Sequence, residues 1–127
     1  QPRAAAQKEL NMGNISPIAN RDMVADSLSG MSGENLSWLA LLMDNPAADD
    51  TLLDGLHLYL DRQAQARFLN ALKLQKCGEW LGDAAPARLQ VRLMEAARSS
   101  QHGAYTSFRE GLVRSGGLER AFPKANV

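Results

Sequence analysis

Apolar side chains recur along this chain at intervals of three and four, the spacing that lines one face of an α-helix. Val24, Leu28 and Met31 form the first such stripe. Ser16 and Pro17 precede it. The serine can accept from an orphan N–H, and a proline loses nothing at a first helical position, so a helix is predicted to start there. Gly30 is predicted to end it in a left-handed turn. Ser32 predicts the cap of a second helix, Gly33 to Met43. Within it Trp38, Leu39, Ala40, Leu41, Leu42 and Met43 are apolar on every side, so this helix belongs in the middle of the domain or under a partner. Asn45 and Pro46 close it.

Asp49 and Asp50 suit the partial positive charge at the start of a third helix, whose stripe is Leu53, Leu56 and Leu60. From Arg62 the pattern reads as helix as far as Leu81, with Phe68 and Leu72 as one pair and Ala71, Leu74, Cys77 and Leu81 as the adjacent row. Gly78 weakens that helix by about 1 kcal/mol relative to alanine, and Gly82 and Asp83 end it. Pro86 starts a fifth, with Leu89, Leu93 and Ala97 inward and Arg88, Arg92 and Glu95 outward. Ser107 and Glu110 fit a capping box for a sixth, which buries Tyr105, Phe108 and Leu112 and stops at Gly116 and Gly117. Residues 118–122 add an amphipathic turn.

No segment shows sustained alternation with β-branched residues, so the fold class is all-α: a single domain of five or six short helices, a bundle or orthogonal array. Residues 1–14, rich in Ala, Gln and Asn, read as a loosely ordered N-terminal arm, and residues 15–127 as the helical domain. With 127 residues, 45% of them hydrophobic, the chain has room for one core. No apolar run approaches the roughly 18 residues of a membrane span, and no secretory leader is visible, so cytoplasmic placement is the expectation.

Formal net charge is zero, yet the halves differ. Residues 1–60 hold three basic and eight acidic side chains, a balance of −5. Residues 61–127 hold eleven basic and six acidic ones, a balance of +5. A polarised surface can steer an acidic partner or a phosphate backbone, unless the halves pack together and their charges pair.

Chemistry finds little purchase. Cys77 is the one thiol, and His57 and His102, twenty and twenty-five positions away, are the only bases of the right kind. Cys77 also lies in the apolar row, where truncation to alanine is expected to cost about 1–2 kcal/mol. His57 and Asp61 share a helical face as i and i+4, which begins a metal site without completing one. The acids Asp44, Asp49, Asp50 and Asp54 with Asn45 lack the spacing of a calcium loop. No glycine-rich phosphate loop or nucleophile elbow is present. Neither enzymatic activity nor a cofactor is expected.

Two readings remain. The first is a non-enzymatic protein–protein interaction module, an adaptor, regulator or assembly component. It would dock an acidic surface on Arg88, Arg92, Arg98, Arg109 and Arg114, or self-associate through Trp38 and Leu42. The alternative is a helix-turn-helix nucleic-acid binder built from residues 74–98, with Gly78 permitting close helix approach, Gly82 the turn, and Arg88, Gln90 and Arg92 reaching phosphates or base edges. Clustering discriminates them. The alternative gains if the basic residues share one face, and loses if they pair with Asp22, Asp26, Asp49 and Asp54.

Overall fold

Side-chain caps set where most of the helices begin. In the computed structural model, which describes residues 19–117, Asn20 is extended and its Oδ1 accepts from the Met23 N–H at 3.0 Å, starting α1, Arg21–Gly30. Ser16 and Pro17 lie outside the described residues, as do the expected arm and the turn at residues 118–122. The left-handed residue that ends α1 is Met31 (φ 50°), not Gly30. Its N–H reaches back to the Ser27 carbonyl at 3.0 Å, the bond that closes a helix of this kind. Ser32 caps α2, Gly33–Met43, accepting from Asn35 N at 3.2 Å. A 3₁₀ turn, Pro46–Ala48, hangs on the Asn45 side chain and leads into α3, Asp49–Ala64.

The helix expected to continue from Arg62 to Leu81 is broken. α3 stops at Ala64, residues 65–70 form a link, and α4, Ala71–Ala84, starts afresh because Asn70 Oδ1 caps the Lys73 N–H at 3.1 Å. Phe68 and Leu72 are therefore not a buried pair but are 79% and 60% exposed. α5, Ala87–Ala97, follows Pro86. α6, Gly103–Arg114, is capped by His102, whose Nδ1 accepts from Ala104 N at 3.1 Å. The predicted Ser107–Glu110 capping box does not form, since Ser107 lies inside this helix. His102 opens the helix one turn earlier and lets Tyr105 join its buried face.

The described residues thus form an all-α domain of six α-helices and no strand. Among them, no helix is long and apolar enough to cross a membrane. Two helix pairs carry most of the packing, α1 on α3 and α4 on α6, and α3 joins them by also touching α6 and α5. Each pair meets at glycine. A Cβ on Gly55 would overlap the Val24 side chain of α1. A Cβ on Gly78 would overlap the Phe108 carbonyl of α6, and one on Gly111 the Gln75 carbonyl of α4. Gly78 and Gly111 therefore let two backbones cross in direct contact. The close approach foreseen for Gly78 is real, but its partner is α6. Around these crossings the core collects Val24, Leu28, Leu39, Leu42, Leu56, Leu60, Leu74, Cys77, Leu89, Leu93, Phe108 and Leu112, none more than 1% exposed.

Candidate interaction surface

The charged residues of the two halves meet and pair. Arg62 on α3 reaches Asp26 at 3.0 Å and Asp22 at 3.7 Å on α1. Arg88 at the start of α5 grips Asp49 with both ends of its guanidinium, Nε to Oδ2 and Nη2 to Oδ1, each at 3.0 Å. The same Nη2 donates to the Met43 carbonyl at the end of α2. Arg92 meets Asp50 at 2.8 Å, and that bond first, then the neighbouring acids, pushes its pKa further up. Arg114 lies 3.8 Å from Glu79 and donates to Gln75, which in turn donates to Glu110.

These bonds redistribute the predicted site. Arg88 and Arg92 lean on the start of α3 and Arg114 on α4, so the three are bonded to acids of their own chain at two separate places. Arg98 is exposed at the end of α5, and Arg109 is half-buried on α6. Leu42 is 1% exposed and belongs to the core, which removes it from any surface. Trp38 is half-buried. It lines an open groove of about 280 Å³ between α1 and α2, together with Met23, Ser27, Glu34 and Asn35. Gln90, expected to reach base edges, is fully buried and donates to the Gly82 and Ala85 carbonyls, tying α5 to the end of α4.

The candidate chemical groups are engaged in the fold. Asp61 accepts the Tyr105 hydroxyl at 2.5 Å, and His57 Nδ1 stands 3.4 Å from the same oxygen. Burial first, and this bond second, push the Tyr105 phenol well above its ordinary pKa. His57 and Asp61 therefore serve a buried tyrosine, and no group of three metal-ligating side chains occurs among the described residues. His102 caps α6.

Cys77 is fully buried, and burial pushes its thiol up to about 12 despite the opposing pull of Lys73. The native chain is therefore expected to resist an aromatic disulfide reagent at pH 8 and to release one thiolate only in denaturant. Rapid native reaction would place the sulfur at the surface. A raised pKa means that folding favours the protonated thiol. Its contribution is complete below the ordinary value of 9.0 and is lost as pH rises from there toward about 12.

The feature that pattern reading missed is the link between α3 and α4. Phe68 is 79% exposed, with Leu72 and Leu69 beside it at 60% and 43%. The Arg67 guanidinium sits 5.6 Å from the Phe68 ring centroid, within cation–π range. Leu69 rests on the start of α6, where Gly103 leaves room for it: a Cβ there would come within 3.0 Å of Leu69 Cδ2. The segment is thus held where it enters α4, by the Asn70 cap and by Leu69, while the Phe68 ring faces water. Asn70 was the legible signal, a capping residue three positions before Lys73. Compared with known protein families, curated proteins and solved structures, the chain matches none.

Proposed function

We propose that this chain is a protein–protein interaction module, an adaptor, regulator or assembly component, that engages its partner through the apolar ridge of Phe68, Leu69 and Leu72. The observation that carries this reading is the exposure of Phe68 on a capped, anchored link. Apolar side chains clustered in water on a folded domain mark contact surfaces. Burying a phenylalanine contributes about 1.5–3 kcal/mol, and aromatic residues are enriched at the apolar centre of interfaces, inside a polar rim. Arg62 is bonded to Asp22 and Asp26, but residues 65–78 contain Arg67, Lys73 and Lys76 and no acidic residue. The fitting partner therefore offers an apolar pocket with an acidic rim. A cytoplasmic location suits a lone buried thiol.

The nucleic-acid reading draws less support, because Gln90 is buried and Arg88 and Arg92 are bonded to Asp49 and Asp50. Salt-sensitive binding of a mixed oligonucleotide pool would restore it. For the proposed reading, a benzophenone side chain is placed at position 68 and irradiated in extracts of the native host. Discrete protein adducts are expected that disappear when Leu72→Asp is added. Position 113 is the control, since Val113 is 62% exposed away from the ridge. Identical adducts from positions 68 and 113, or adducts that survive Leu72→Asp, overturn the reading.

A further inference from the structure

We infer that the partner of the ridge is a second copy of this chain, whose α1–α2 groove receives Phe68 in a head-to-tail contact. The inference rests on the ridge being an interaction surface and goes further by naming what it binds. Its basis is that this chain carries both members of a complementary pair. The ridge is apolar, with Arg67 over the Phe68 ring and Lys73 and Lys76 following it along the chain. The groove is apolar too, built on Met23 and Trp38, with Glu34 in its wall.

Charge divides the same way. Residues 62–78 have no acid, and residues 22–61 have eight acids and neither lysine nor arginine. Several of those acids are bonded to arginines of their own chain, but Glu34 lies in the groove itself. At about 280 Å³ the groove falls just below the roughly 300–1,000 Å³ typical of small-molecule pockets. A single aromatic side chain is the more fitting occupant. Inside it Phe68 would meet the Trp38 ring, a pairing that aromatic edges and faces favour. The groove does not take its own ridge, because Phe68 is 79% exposed.

Ridge and groove share no residue. The contact is therefore heterologous: each copy offers a ridge to one neighbour and a groove to another. Such contacts close into a ring or extend as a filament. Charge complementarity also makes the association weaken with salt.

The test uses the purified chain in sedimentation velocity, from about 10 μM to about 1 mM, where weak contacts become populated. Mean mass is expected to rise with concentration and to rise less at high salt. Phe68→Asp removes the ridge, and Met23→Arg, at a residue 38% exposed, removes the groove. Each alone is expected to weaken association at least about tenfold, the mark of an anchor residue. Mixed, the two variants restore one intact interface per pair, so association resumes and stops at the dimer.

A wild-type chain that stays monomeric overturns the inference, as do single variants that still associate or a mixture that stays monomeric. Cross-links from position 68 to a different protein, together with a monomeric chain, would remove the second copy while leaving the ridge as an interaction surface. Adducts absent from position 68 would remove both. Circular dichroism on each variant confirms that it is folded before its mass is read.

Discussion

Gly111→Ala is expected to destabilise the chain by about 2 kcal/mol or more, although alanine is the better helix former. Two effects oppose each other. In a helix interior the alanine gains about 1 kcal/mol over glycine. Against this, the new Cβ would overlap the Gln75 carbonyl and lie 2.8 Å from the Glu79 nitrogen. Those atoms are backbone of α4 and cannot swing aside as the tip of a side chain can. Overpacking of a well-filled core costs about 1–3 kcal/mol, and more where the obstructing atoms are fixed. Relief would need α4 and α6 to separate, which loosens Leu74, Cys77, Phe108 and Leu112 together.

Gly33→Ala supplies the opposite sign. Nothing lies within 4 Å of a Cβ there, and Gly33 is the first residue of α2 with an ordinary negative φ. That change is expected to be neutral or to add about 0.5 kcal/mol, by restricting the unfolded chain. Urea denaturation of the two variants separates the terms. Equal midpoints would mean that α4 and α6 do not cross backbone to backbone.

The contrast shows what can be read from residues in a row. Ser32 announced α2, and Asp49 and Asp50 announced α3, because caps and end charges act within one turn of the residue that supplies them. Leu89, Leu93 and Ala97 were legible as a buried stripe for the same local reason.

The link at residues 65–70 was misread because Phe68 and Leu72, four apart, mimic one face of a helix. Spacing cannot tell a buried pair from an exposed ridge; only the neighbours that fail to cover it can. The Asn70 cap was the better witness and was outweighed by periodicity. At the start of α6, His102 caps the helix whose start the pattern places at Ser107, since a histidine ring nitrogen can accept as a serine does. The glycine crossings and the arginine pairings join residues thirty or more positions apart, and no local rule reaches that far. The predicted binding arginines share that difficulty. A run of basic residues reads as a surface until the acids that fold against it are known.

Arg88→Met is expected to cost about 2 kcal/mol, and the same change at Arg92 to leave the unfolding midpoint unmoved. Both arginines bond an aspartate at the start of α3, but the sites differ in exposure. The Asp49 side chain is 12% exposed, while that of Asp50 is 82% exposed. Losing Arg92 returns Asp50 to water. Losing Arg88 leaves the Asp49 carboxylate shielded from water and without its two guanidinium bonds, and frees the Met43 carbonyl as well. Breaking a fully buried pair costs about 3–5 kcal/mol. The Arg88 side chain is 36% exposed, so solvent screens part of the interaction and the smaller figure applies.

The sharper test is the double change. Adding Asp49→Ala to Arg88→Met removes the stranded carboxylate, so the pair should be less destabilised than the two single effects summed, by about 1 kcal/mol or more. Simple additivity would mean that the carboxylate is not stranded when Arg88 leaves. The bond between α3 and α5 would then be an incidental surface contact and not what holds the start of α5 against the end of α2 and the start of α3.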